Sequence, residues 1–411
     1  MRGALLCGLL IVTMAEAMWA GEGCSREAVT REAATAKQVQ GRLLAVKADE
    51  MDTVVPEAAK KDIAAMKEAL AATVDAYMGC AAATLDSKQM VDELAGRLEA
   101  NRPEAPFVAS KENVHVGLYG TELKIGGRES VASGGGRLVS IEASFGIACG
   151  MDSMLLVYEL RGGKWQRAVR WQSGEYGEVS GAFGDFFTYS VIPKADLSGG
   201  WAVAVAHGMP WCTSRMSGFE IDVIRPEGER KQRVIAHVKH GYSRGDMVPK
   251  MKATGDGQGF DLRLSRSSAD MNVFEYVGIF RYRLTGDGME RVQPIAMNGR
   301  GFVEEWLAAD WSDAERWSDT GAKEALRLEH ARVNKTERGE GGELPSYGAV
   351  RGCAEDGKHF QVEVGHEKAG TVYFQIEQGV NSFTMVAAGG REDARCKGAD
   401  IMKRTGASAA E

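Results

Sequence analysis

The sequence predicts a mixed α+β multidomain chain. An N-terminal helical hairpin region precedes a β-rich repeated domain, propeller-like with a β-sandwich as the alternative, and that domain carries a helical insertion. Three observations lead there. Residues 21–103 place apolar side chains three and four apart, the period of one helical face. Residues 110–300 switch to a period of two, the mark of half-buried strands. Within that stretch a strand–turn–strand unit recurs.

The recurring unit is Leu155–Trp171 with a turn at Gly162-Gly163, then Phe219–Val238 with a turn at Pro226-Glu227-Gly228, then Val277–Ala296 with a turn at Gly286-Asp287-Gly288. In each, an alternating apolar strand meets a glycine-bearing turn, and the return strand opens on Lys, Gln or Arg. Glycine supplies the positive φ of a tight hairpin turn. The turns lie roughly 60 residues apart, as blades of a repeated β architecture would place them.

Taken in order, residues 1–20 read as a signal peptide. Arg2 precedes the apolar run Gly3–Met14, and Ala15-Glu16-Ala17 offers a small-x-small cleavage pattern, with cleavage after Ala20 as the alternative. That run is shorter than the roughly 20 apolar residues of a membrane span, so a periplasmic or secreted protein is expected, with no transmembrane segment after cleavage. Helix one is expected over Ser25 to Ala48 with Val29, Ala33, Ala36, Val39, Leu43 and Val46 inward. Helix two starts near Pro56 and turns Ile63, Met66, Leu70, Val74 and Tyr77 inward, ending at Gly79. Asp86-Ser87 caps helix three, which carries Met90, Val91, Leu94 and Leu98. Pro103–Pro106 reads as a linker. Strands follow, with Gly126-Gly127 and Gly134–Gly136 read as breaks between them.

Residues 301–345 return to helical spacing and loop, with Ser312–Glu315 fitting a capping box and Asn334-Lys335-Thr336 forming a glycosylation sequon in the loop. Residues 346–400 resume strands as a fourth copy of the repeat, and residues 401–411 read as a flexible tail.

Loss of the leader removes Cys7 from the seven cysteines and leaves Cys24, Cys80, Cys149, Cys212, Cys353 and Cys396. An even number in an exported chain points to disulfides. Sequential pairing is expected. Helices one and two are of nearly equal length, so an antiparallel hairpin brings Cys24 and Cys80 together. A Cys149–Cys212 bridge would tie the first two repeat units, and Cys353 and Cys396 bracket the last strands.

The net charge is −7. The basic pairs Lys60-Lys61 and Arg230-Lys231 stand alone, so no nucleic acid partner is expected, because phosphate binding needs a concentrated basic face. No nucleophile elbow, phosphate loop, dinucleotide fingerprint or zinc-protease helix occurs, so the catalytic residues are unassigned and no cofactor or metal is expected. His237 and His240, three apart in a strand, point to opposite faces. His207 lies near Cys212, a cysteine expected to be bridged. His366 is placed in a solvated turn, and Asp256 and Asp287 read as turn residues. Trp165, Trp171, Tyr176, Trp201 and Trp211 are the candidate ligand surface, since aromatic rings give large contact area at low entropy cost. The functional expectation is a non-enzymatic binding or envelope-associated protein with a protein or carbohydrate ligand. The alternative is a secreted hydrolase with a carboxylate-based site in the loops.

Overall fold

The computed structural model describes residues 25–49, 54–102, 114–148, 150–174, 186–195, 200–208, 216–228, 230–243, 248–267, 275–286, 288–293, 299–337, 345–353, 357–366, 369–379 and 382–401. The expected leader, Cys24, Cys149, Cys212, Tyr176 and Trp211 lie outside them. Six α-helices and four four-stranded antiparallel sheets are seen among the described residues. The chain divides into two compact units. One is Met1–Gly241 with Ala253–Gln258 and Gly286–Gly288, and the other is Tyr242–Lys252, Gly259–Thr285 and Met289–Glu411.

The first unit opens with helices α1 (Arg26–Leu44), α2 (Glu57–Met78) and α3 (Ser87–Leu98). Ser25 caps α1 by accepting from the Ala28 amide, and α1 buries Val29, Ala33, Ala36, Val39 and Leu43, the expected face. Asp86 and Gln89 form a reciprocal capping box on α3, which satisfies two otherwise orphaned donors. A short ladder pairs β1 (Ala48–Asp49) with β2 (Val114–His115).

Sheet one is a meander of β3 (Lys124–Val131), β4 (Arg137–Ile147), β5 (Gly150–Arg161) and β6 (Lys164–Gln172). It is buried on both faces. Along β5, Met154, Leu156 and Tyr158 join the core formed with the helices, whereas Leu155 and Val157 join a second core. That second core is shared with sheet two, made of β7 (Phe187–Ile192), β8 (Ala202–Gly208), β9 (Met216–Gly228) and β10 (Lys231–Ser243) in consecutive order. The result in this unit is a layer of helices, then a sheet, then a sheet.

Two glycine readings part company. Gly162 and Gly163 form the two-residue turn between β5 and β6 with φ of 57° and 77°, as a hairpin of this twist requires. Gly126 and Gly127, read as a break, instead lie inside β3 opposite Glu142 and Ile141. A Cβ on Gly126 would meet the Glu142 carboxylate, and one on Gly127 would meet Val91 of α3 and the Ser140 carbonyl at 2.8 Å each. The glycines are there for close approach, not for a turn.

Polar residues of α2 fasten the helices to sheet one. Lys67 Nζ donates to the Ser173 carbonyl at 2.9 Å and lies 3.4 Å from Asp152, which is fully buried. Ser173 Oγ donates to the other Asp152 oxygen at 2.5 Å. Two turns further along, Asp75 accepts from the Tyr158 hydroxyl at 2.6 Å and from Arg167. Asn101, just past α3, exchanges two hydrogen bonds of 2.9 Å with the Ile125 backbone.

The second unit contains sheet three, β11 (Lys250–Ala253), β12 (Gly259–Ser267), β13 (Glu275–Leu284) and β14 (Met289–Gln293). Sheet four is β15 (Ser346–Gly352), β16 (His359–His366), β17 (Gly370–Gln378) and β18 (Phe383–Gly389). Between them run α4 (Gly299–Ala308), α5 (Trp311–Ala314), a 3-10 turn (Glu315–Trp317) and α6 (Lys323–Glu337). Phe302, Trp306, Trp317 and Val333 share a core with Val362, Val364, Phe374 and Ile376 of sheet four. The buried Arg291 of β14 pairs with the buried Glu305 of α4, its guanidinium 4.9 Å from the Phe280 ring and 4.8 Å from that of Trp317.

Cys353 and Cys396 form a disulfide around sheet four, as their positions implied. Cys80, at the end of α2, is also disulfide-bonded. The expected capping box at Ser312–Glu315 is absent, because the helix begins two residues earlier, with Asp310 rather than Ser312 as its N-cap. Asn334 lies in α6 rather than a loop, its side chain 3.2 Å from His330 Nδ1.

Removing one member of a buried ion pair strands the other, at a cost of about 3–5 kcal/mol, whereas replacing both by apolar groups is often neutral. Lys67→Met is therefore expected to lower the urea unfolding free energy by about that amount, and Lys67→Met with Asp152→Leu to recover most of it. Urea melts followed by circular dichroism check this.

Candidate functional site

The hairpin of β9 and β10 ends at Gly228 and restarts at Lys231. Counting back from that turn brings Asp222 opposite His237 and Glu220 opposite Lys239. Period-two alternation then sends all four to one face. The contacts agree. His237 Nδ1 lies 2.7 Å from Asp222 Oδ1, and Lys239 Nζ lies 2.5 Å from Glu220. From β8, which pairs His207 with Glu220 in register, His207 Nε2 approaches Glu220 at 3.4 Å.

Sheet one contributes the other wall. Trp171 of β6 donates its indole N–H to Asp222 Oδ2 at 2.8 Å, and its ring stands 5.0 Å from His207 and 5.3 Å from Phe187. Gln232 of β10 pairs with both the N–H and the C=O of Arg170 at 2.7 Å, holding the edge of β6 against the hairpin. Farther along the same face, Val203, Val205 and Ile224 belong to the core between the sheets. The polar group thus sits where that core ends.

Burial sorts its charges. Side chains of Asp222 and Glu220 are 16% exposed, against 47% for His237 and 62% for Lys239. Both carboxylates lie underneath, already engaged, and the bases form the outer layer. His207 and Lys239 together hold the Glu220 carboxyl down at about 2, despite burial that works the other way. An acid so committed to the ionised form is a poor general acid at neutral pH. Two other carboxyls are pushed up by burial. Glu142 has Arg128 as its charged neighbour, and Asp313 has Arg291 and Arg316. The charge of neighbouring Asp310 adds to the rise at Asp313. No group of three or more His, Cys, Asp or Glu with metal-holding geometry occurs among the described residues.

The aromatic surface read from the sequence is corrected here. Trp165, Trp171 and Trp201 are only 6, 6 and 5% exposed, so their ring faces pack in cores and offer no stacking platform. Trp171 matters through its N–H instead. His207 is buried beside Trp171, and the His240 ring lies tilted against Phe219 at 5.3 Å, on the face opposite His237. The two β10 histidines do diverge as strand geometry requires. His366 is buried at the end of β16 rather than in a solvated turn. Asp256 accepts from Thr254 Oγ1 and the Gln258 amide, a turn role. Asp287 lies outside the described residues.

Neither protein-family models nor curated proteins show any match to this chain.

Glu220 gives this face a pH signature. Its pKa is lower folded than unfolded, so the stabilisation is present above about pH 4.3 and is lost as pH falls toward its folded value of about 2. Glu220→Gln is expected to lower stability at neutral pH and to flatten the fall between pH 4.5 and 2. Urea midpoints for both proteins across that range check it.

Proposed function

We propose that the protein is an exported, non-enzymatic binding protein whose ligand contacts the His237–Lys239 face of sheet two. The observation that carries the reading is the ordering of that face. Two carboxylates are fixed underneath by Trp171, His207, His237 and Lys239, and two basic side chains project outward. Prearranged polar groups at the rim of an apolar core are what a recognition site uses to orient a ligand. Export is supported by the leader-like first 20 residues and by the bonded cysteines Cys80, Cys353 and Cys396. No described helix is long and apolar enough to cross a membrane.

The four sheets support a propeller-like reading over a sandwich in one respect. Each is a run of four consecutive strands, which is blade topology, whereas Greek-key sandwiches exchange strands between sheets. The hydrolase alternative rests on the His237–Asp222 pair, which has the base-and-orienter arrangement of acid–base catalysis.

A thermal-shift screen of the mature chain against acidic and neutral oligosaccharides and peptides tests the reading. A ligand at about 100 times its dissociation constant stabilises by about 2.7 kcal/mol. A rise in melting temperature that Lys239→Ala or His237→Gln reduces is the expected result. Turnover of any panel member, abolished by His237→Gln, would favour the hydrolase.

A further inference from the structure

We propose that the group this face recognises is a carboxylate, held between His237 Nε2–H and Lys239 Nζ and released when His237 loses its proton. The inference rests on the binding reading above and gives it a ligand chemistry. His237 Nδ1 is occupied by Asp222. That bond directs the other ring nitrogen, Nε2, away from the carboxylate, and Nε2 makes no hydrogen bond to any described residue. Lys239 spends one of its donors on Glu220 and retains two. The two residues are neighbours on one face of β10, about 7 Å apart along the strand, a span that two long side chains close around one carboxylate.

Asp222 is itself held in place by the Trp171 N–H, which keeps the carboxylate from swinging away and so fixes the ring it holds. Among the described residues, the charged or titratable groups of this cluster are Asp222 and Glu220 from β9, Lys239 from β10 and His207 from β8. From β6 come Arg170, which is turned to Glu68 of α2, and the uncharged Trp171. With both histidines neutral, the face carries one more negative than positive charge. Protonation of His237 cancels that excess and supplies a donor at Nε2. Histidine changes charge between about pH 5 and 8, whereas the sugar or peptide carboxylate stays ionised across most of that range. Affinity is therefore expected to rise on mild acidification.

Isothermal titration of the mature protein with tetragalacturonate, its methyl ester and tetraglutamate, at pH 5.5 and 7.5, tests this. The expected result is binding of at least one free acid, at least about fivefold tighter at pH 5.5, with no binding of the methyl ester. His237→Gln should remove the pH dependence and weaken binding at pH 5.5 to the level seen at 7.5. Lys239→Ala should weaken it at both. Whether the sugar or the peptide acid binds identifies the source of the carboxylate. Equal affinity at the two pH values, or a His237→Gln protein that binds like the parent, overturns the inference. Binding of the methyl ester or another neutral sugar alone overturns it while leaving the binding reading standing. Silence of the whole screen overturns both. His237 is half exposed, so the variant is expected to fold, and an unchanged melting curve without ligand confirms that.

Discussion

Strand β5 is in contact with two cores at once, and the first unit depends on it. Alternate residues of Met154–Tyr158 face the helices and sheet two in turn, so neither layer can be removed without wetting a row of Leu, Met, Tyr or Val side chains. Burial of each such side chain is worth about 1.5–3 kcal/mol. The helices are therefore part of the sheet's own core, and their deletion would expose a whole face of it. A strand buried on both sides needs a continuous apolar run, which is how Met154-Leu155-Leu156-Val157-Tyr158 reads.

Apolar layers slide unless something fixes their register, and both units meet that need with buried charge. Lys67 with Asp152 joins helix to sheet in the first, and Arg291 with Glu305 does so in the second. A buried ion pair contributes little net stability against an apolar replacement, yet it penalises any arrangement that separates its members. Both pairs carry additional anchors: Ser173 on Asp152, and the Phe280 and Trp317 rings against Arg291. The His237–Lys239 face uses similar physics at a rim instead of a core, with carboxylates beneath and His237 and Lys239 above.

How much of this the sequence carried depends on the range of the interaction. The helix faces, the cap at Asp86 and the Gly162-Gly163 turn are local matters of period and φ, and they are present, although α1 stops at Leu44, short of Val46 and Ala48. Gly126-Gly127 misled because glycine marks a turn and a close approach alike, and only the placement of Glu142 and Val91 separates the two. The tryptophans misled for a related reason: composition does not say which side of a sheet is covered. The His237 face was nearly readable. Glu220-x-Asp222 and His237-x-Lys239 are facing period-two pairs, but placing the hairpin turn at Pro226–Gly228 rather than after Gly228 shifts the register and parts them. A small error in a turn hides a site, because register sets every cross-strand neighbour. The Lys67–Asp152 and Trp171–Asp222 contacts join residues 85 and 51 positions apart, and no local pattern announces them.

The proposed binding face lies at the end of the core between two sheets and takes its rigidity from that core. Trp171 reaches Asp222 only because sheet one is held against sheet two, and sheet one is held in turn by the helices. The three layers are thus expected to unfold as one cooperative body. Native-state hydrogen exchange measured against urea tests it most directly. Amides of α2, β5 and β8 are expected to share one opening free energy equal to that of global unfolding. Exchange of α2 through a separate opening at markedly lower free energy, with β5 and β8 still protected, would contradict it.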